Sequence, residues 1–338
     1  MIGYYIHHQG RGHLHRATRL ARELNGDVTG LSSLPRSDDW PGDWVQLPPD
    51  DLATAPVDPQ ARGALHWAPV GDLGNALRMQ TISTWLTTHR PELMVSDVSA
   101  EVALLSRLHG VRVATVVLPG ERGDPAHVLG RSVSDLLVAF WPSHASEMVS
   151  GLSAADAARL HRLGAVARCC PLGTDHPPEE GDGQARRVVV LGGAGGGGPT
   201  NAELALAQAA TPDWEWRFLG GAGGPWVDDP HPFLRAADVV VTHAGEGALA
   251  EVAAARRPAV VLPQPRPHYE QFATARALAH GSWPAVVAGD AAAADWPSLL
   301  KRAAGLDGQR WSGWCDGLAP SRFARLVDEF LGDARRSA

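Results

Sequence analysis

Short apolar runs alternate along this chain with longer stretches rich in alanine, leucine and arginine. The runs predict strands at Ile2–His7, Asp27–Leu31, Leu93–Ser96, Arg112–Val117 and Leu136–Phe140. A second series is predicted at Arg187–Leu191, Glu215–Leu219, Asp238–Thr242, Ala259–Leu262 and Pro284–Val287. Several of these are apolar throughout rather than alternating, the pattern of strands covered on both faces of a parallel sheet. Between them, apolar residues recur at helical spacing in His13–Leu24, Ser99–Leu108, Asn201–Gln208, Ala248–Ala255, Tyr269–Leu278 and Ser321–Leu331. Alternation of β and α elements predicts doubly wound α/β domains. The series breaks at Gly173–Gln184, GTDHPPEEGDGQ, which reads as an interdomain linker and puts a boundary near residues 165–185. The Pro- and Trp-rich stretch Leu34–Trp67 shows little periodicity and reads as irregular.

Length and charge narrow the picture. A chain of 338 residues favours two domains over one. A formal net charge of −7 argues against a dedicated nucleic-acid binder. Three cysteines, Cys169, Cys170 and Cys315, show no zinc-site spacing and read as reduced thiols. MIGYYIHHQGRGH has no secretory pattern, and no apolar run approaches the roughly 18 residues that span a bilayer. A cytoplasmic protein is expected, with contact to the inner face of a membrane kept open.

Candidate chemistry sits in three places. The first predicted strand runs into Gly10-Arg11-Gly12-His13 and then a helix carrying Arg16. Glycines there let a ligand approach the backbone at a helix N-terminus. The third glycine of a dinucleotide fingerprint is missing, which argues against NAD. His13 can take a proton from an attacking hydroxyl, or simply cap the turn. His7, His8 and His15 crowd the same stretch, but no carboxylate nearby completes a metal site. The second place is Asp97, at a predicted strand end. It can orient a histidine, act as a base, or cap the helix that begins near Ser99.

The third place lies in the second series. One strand opens into Gly192-Gly193-Ala194-Gly195-Gly196-Gly197-Gly198, a phosphate-cradling composition without the lysine of a Walker A loop. Another ends in His243-Ala244-Gly245-Glu246-Gly247, with a helix expected from Ala248 that carries Glu251. A Pro-rich loop then reaches Glu270 and Gln271. Loop N–H groups suit a diphosphate, Glu251 a ribose diol, and Glu270 with Gln271 the hydroxyls of a sugar.

His243, Gly245, Gly247, Glu251, Pro258, Pro263, Glu270 and Gln271 match, in order and spacing, the donor signature of MurG-like glycosyltransferases of the GT-B fold. The chain therefore resembles that family over about 45 residues, with weaker likeness at Gly10–His13 and Gly192–Gly198. The resemblance implies two Rossmann-like domains facing a central cleft. Residues 1–165 would bind the acceptor and 166–318 a nucleotide sugar, with a helix in 319–338 packing back on the first domain. It also implies a UDP-type donor such as UDP-N-acetylglucosamine, with diphosphate binding near His243–Gly247 and Gly192–Gly193. Glu251 would contact the ribose, and Glu270 and Gln271 the sugar. His13 would stand as base, aided by Asp97, with Gly10, Gly12 and Arg16 on the acceptor side. Small-molecule, glycan and lipid-linked acceptors all occur in such a family. A lipid acceptor would call for a basic surface, for which Arg78, Arg90, Arg107, Arg122 and Arg131 are the candidates.

Three residues depart from the signature. Ala244 replaces a glycine, Ala248 replaces a threonine, and Glu246 brings a negative charge beside the expected diphosphate. The pair Asp228-Asp229 lacks the strand-end context of a metal-binding DxD. No metal and no cofactor is expected, because arginines and helix N-termini can stabilise the leaving diphosphate. Two other outcomes fit the same fold: a sugar-nucleotide epimerase or hydrolase that needs no acceptor, and a non-catalytic glycosyltransferase-like subunit.

Overall fold

A computed structural model describes residues 1–52, 54–169, 171, 186–193, 198–221 and 224–336. The chain divides into two compact units. The first takes residues 1–139, 150–163 and 320 onward; the second takes 140–149 and 164–319.

In the first unit the strands are β1 (Ile2–Tyr5), β2 (Val28–Ser32), β3 (Asp43–Gln46), β4 (Leu93–Asp97) and β5 (Arg112–Val116). After the two-residue strand β6 (Gly120–Glu121) comes β7 (Leu136–Ala139), and after a second such strand, β8 (Val149–Ser150), comes β9 (Leu160–Arg162). Seven of them form one parallel sheet in the order β3-β2-β1-β4-β5-β7-β9. β1, β2 and β4 are buried at every position, which is why their sequences do not alternate between apolar and exposed polar residues. The helices of this unit are α1 (Arg11–Ala21), α2 (Leu73–His89), α3 (Ala100–Leu108), α4 (Pro125–Ser132) and α5 (Ala154–Ala158).

The second unit holds β10 (Arg186–Leu191), β11 (Trp214–Leu219), β12 (Val239–Thr242), β13 (Ala259–Val261) and β14 (Ala285–Val287). They form a parallel sheet in the order β11-β10-β12-β13-β14. Its helices are α6 (Asn201–Ala210), α7 (His231–Ala236), α8 (Glu246–Ala254), α9 (Glu270–His280) and α10 (Trp296–Ala304). The last helix, α11 (Ala319–Arg336), belongs from Pro320 on to the first unit. There Asp328 accepts from Asn25 at 2.6 Å, and Arg335 grips Glu92 at 2.7 and 2.9 Å.

Strand order matters for function. In the first unit the chain builds outward from β1 through β2 and β3, then crosses to β4 on the other side. In the second it crosses from β11 back past β10 to β12. Each crossing makes a topological switch point, where loops diverge and leave a crevice at the strand ends. Asp97 ends β4 beside β1, and Gly192 and His243 follow β10 and β12.

The structure departs from several expectations. The stretch 34–67 contains β3, whose half-exposed edge position blurs its pattern. Helix α2 was not foreseen: its buried stripe, Arg78, Ile82, Trp85 and Leu86, opens on an arginine and reads as polar. Residues 140–149 join the second unit rather than the first. The expected linker and Ala194–Gly197 lie outside the described residues. Arg78, Arg122 and Arg131 are buried, which removes them from any basic surface. Among the described residues, no helix is long and apolar enough to cross a membrane.

Candidate active site

In the first unit the site is built on a buried carboxylate. Asp97, fully buried, accepts from Arg16 at 2.6 Å and from His13 Nδ1 at 2.9 Å. Burial would push its carboxyl up, but the charges and hydrogen bonds of Arg16 and His13 outweigh this and hold it well below the usual carboxylate range. Arg16 Nη2 also stands 3.2 Å from His13 Nδ1, but it donates to Asp97 at the shorter 2.6 Å; the ionised carboxylate only accepts, so the 2.9 Å contact puts the His13 proton on Nδ1 and leaves the lone pair on Nε2. Asp97 is therefore an orienting group. It does not cap α3, because Ser99 does so by accepting from the Val102 amide at 3.2 Å. Val98, between the two, has φ of 65°, a left-handed conformation strained for a β-branched side chain. Strain of this kind collects at functional strand ends.

Helix α1 starts two residues earlier than the pattern suggested. Gly10, at φ 92°, is its N-cap and needs to be glycine, while Gly12 lies inside the first turn with open space beside it. Arg16 turns inward onto Asp97 and is 8% exposed, so it serves the carboxylate rather than an open acceptor surface. His7 stands 5.5 Å from His13, ring to ring, and burial lowers its pKa to about 3.

A small, partly open cavity lies at the ends of β4 and β5, lined by Val98, Thr115, Val117, Arg122, His66 and His127. Beside it Asp124 meets both imidazoles, with His66 Nε2 at 3.3 Å and His127 Nδ1 at 2.5 Å. Arg122 faces His127 Nε2 at 3.1 Å. An arginine only donates, so that nitrogen is an acceptor and Nδ1 carries the proton toward Asp124.

In the second unit the site is built on backbone. His243 leaves β12 with its Nδ1 accepting from the Gly245 amide at 3.0 Å, so its proton is on Nε2. Burial, assisted by the nearby charge of Arg266, lowers its pKa to about 4 and keeps it neutral. A side chain at Gly193 would come within 2.6 Å of that Nε2, and one at Gly245 within 2.7 Å of Nδ1. The glycines thus make room for the imidazole, and Gly192 packs equally close on Gly221. Helix α8 begins at Glu246, two residues before the expected start, with Gly245 as an N-cap that makes no side-chain cap. The amides of Glu246, Gly247 and Ala248 form its first turn, where the helix dipole favours an anion. Ala244 is buried, and Glu246 occupies the first helical position.

Glu251 lies on the buried face of α8. Its Oε1 accepts from the Arg168 amide at 2.9 Å and from Arg168 Nε at 3.1 Å, while Oε2 is buried without a hydrogen bond. Gln271, 2% exposed, accepts from the Gln264 amide at 2.9 Å, and its Nε2 lies 3.7 Å from the side-chain position of Gly245. Glu270 opens α9 after His268 and Tyr269, both left-handed, at φ 57° and 54°. Gly193, His243, Gly245 and Gln271 are therefore brought together, with Glu251 one helical stretch away. Arg168 carries no signal in the sequence: it meets Glu251 across 83 positions.

Residues 224–287 match the glycosyltransferase family 28 C-terminal domain. No curated protein matches the chain by sequence. Solved structures do match by shape. The glycotransferase of kitacinnamycin is 18% identical, with a TM-score of 0.67 over 98% of both chains. MurG of Acinetobacter baumannii is 14% identical, with a TM-score of 0.61 over 97% of this chain and 99% of that one. A Streptomyces sp. SF2575 glycosyltransferase complexed with thymidine diphosphate is 14% identical, with a TM-score of 0.61 over the same shares. With two parallel-sheet units that match solved glycosyltransferases over nearly their whole length, and a family 28 C-terminal domain match across residues 224–287, the chain has the GT-B fold.

Proposed function

We propose that this protein transfers a sugar from a nucleoside-diphosphate donor, UDP-linked, to the hydroxyl of an acceptor, with no divalent ion at the diphosphate. The observation that carries the reading is the convergence of His243, Gly193, Gly245 and Gln271 at the switch point of the second unit. The amides of Glu246, Gly247 and Ala248 and the Nε2–H of His243 supply neutral donors to the diphosphate. Glu251 takes the ribose diol on its unbonded Oε2, and Glu270 and Gln271 bind the sugar. In the first unit the acceptor lies against His13. Its oxygen attacks the anomeric carbon while its proton passes to His13 Nε2, and Asp97 stabilises the imidazolium that forms. The bond from the anomeric carbon to the diphosphate oxygen breaks, and the nucleoside diphosphate leaves with the electron pair.

Calorimetric titration with UDP, UDP-N-acetylglucosamine and thymidine diphosphate, in the presence of EDTA, tests the donor assignment. Glu251→Ala is expected to weaken binding by about tenfold or more, the loss of one charge-assisted hydrogen bond pair. Glu251→Gln, which keeps an acceptor for Arg168, separates a lost ribose contact from a disturbed fold. Unchanged affinity in both variants sinks the assignment. Incubation with UDP-N-acetylglucosamine alone detects an epimerase or hydrolase through product formed without an acceptor.

A further inference from the structure

The histidine run after β1 has a member that the transfer chemistry leaves unused. His7 Nδ1 accepts from the Gln9 amide at 3.1 Å, and His13 is committed to Asp97. His8, whose ring stacks on His7 at 5.1 Å, has neither ring nitrogen in a hydrogen bond although both are buried. The sequence around it offers no carboxylate. The fold brings two from 42 and 43 positions away: Asp50 Oδ1 lies 3.6 Å and Asp51 Oδ2 3.3 Å from His8 Nε2.

Asp50 is 8% exposed, and its Oδ1, aimed at His8, is buried without a hydrogen bond. The other oxygen, Oδ2, lies 3.1 Å from Nε of the fully buried Arg78. Arg78 is in turn held by the Tyr5 hydroxyl at 3.0 Å and by Ser33 Oγ. The carboxylate is thus fixed from behind, with one oxygen left facing the imidazole. Neither contact makes a hydrogen bond. The separations do match a tetrahedral ion: bonds of about 2.0–2.2 Å to nitrogen and oxygen place neighbouring ligand atoms about 3.3–3.6 Å apart. The three ligand atoms all lie within 4.8 Å of one another.

We propose that His8 Nε2, Asp50 Oδ1 and Asp51 Oδ2 form a binding site for a single zinc ion, with its fourth position open to water or a ligand oxygen. One imidazole with two carboxylates is a borderline donor set, which suits zinc better than magnesium or calcium. The second histidine–aspartate cluster, His66, Asp124 and His127, is the weaker candidate. A metal on His127 Nδ1 would force a proton onto Nε2, where Arg122 already donates. The site shares no residue with the donor contacts or with the His13–Asp97 pair, so metal binding is measured without reference to transfer.

The test uses the full chain, stripped with chelator and titrated with Zn²⁺ alone, with bound metal counted by elemental analysis. The wild-type protein is expected to hold one zinc per chain. His8→Ala and Asp51→Asn are each expected to lower zinc affinity by about 100-fold, with circular dichroism and melting of the metal-free protein unchanged. Asp51 is the second variant because it is half exposed and carries no structural pairing beyond His8. Co²⁺ in place of zinc should give a tetrahedral absorption band that both variants lose. No zinc binding, unchanged affinity in His8→Ala and Asp51→Asn, or zinc lost in His66→Ala but kept in His8→Ala would each overturn the proposal.

Discussion

His13 and His243 both stand just beyond a parallel strand at a switch point, yet their surroundings assign them opposite chemistry. In the first unit Nδ1 meets a carboxylate, so the proton sits there and Nε2 keeps a lone pair. In the second, Nδ1 meets a backbone amide, so the lone pair is used and Nε2 carries the proton. In the proposed reaction one imidazole accepts a proton and the other donates a hydrogen bond. The difference lies in the partner of a single nitrogen. It extends to the whole of each site. Around His13 the charges Asp97 and Arg16 neutralise each other below the surface, whereas around His243 glycines and helix amides make the close contacts and Arg266 acts only as a nearby charge.

Four measurements bear on that contrast, from the largest expected effect to the smallest. His13→Ala should slow acceptor-dependent release of nucleoside diphosphate by about 10²–10⁴-fold, the range for loss of a general base, with donor affinity within about twofold of wild type. A comparable loss of donor binding would show that the two sites are not chemically distinct. Asp97→Asn leaves the guanidinium of Arg16 buried and uncompensated, at a cost of about 3–5 kcal/mol in urea denaturation. The sign of its pH dependence follows from the depressed carboxyl. That stabilisation is present above the ordinary carboxylate range, is lost as the pH falls through and below it, and is absent from the Asn variant.

His243→Phe keeps the volume but removes the Nε2 donor, and should weaken diphosphate binding by about tenfold, one hydrogen bond to a charged group. Gly193→Ala, which pushes a methyl to 2.6 Å from that nitrogen, should reproduce the loss without touching the histidine. The last effect is on stability against pH. His243 has a pKa of about 4 in the fold and about 6.5 when unfolded. Between those values the unfolded chain binds more protons, so stability is complete above about pH 6.5 and declines as the pH falls toward 4. His243→Asn should flatten that part of a melting-temperature profile, and a profile identical to wild type would remove the claim that the ring is held neutral.

Much of this was legible without coordinates, for identifiable reasons. The strands β1, β4, β10 and β12 are buried on both faces, so their continuous apolar runs announce them and the turns that follow. His13, Asp97 and His243 lie at or soon after such strand ends, and Gln271 comes ten residues after β13. Elements at edges, or carrying a buried charge, were hidden: β3 is half exposed, and α2 builds its inner face on Arg78. Helix starts were also misread, since Arg11–Gly12 and Glu246–Gly247 look like turn residues and are first-turn helix.

What the sequence determined by itself is the alternation of elements, the restart of the series and the residues at the strand ends, because burial periodicity and glycine placement are local properties. Only the tertiary structure decided the partners. The pairing of Asp97 with both His13 and Arg16, of Arg168 with Glu251, and of Asp50 and Asp51 with His8 joins positions tens of residues apart. A proton's place on an imidazole, or an oxygen left without a hydrogen bond, depends on distances of a few ångströms between such groups. Spacing along the chain carries no information about those distances until parallel pairing sets which strand ends are neighbours.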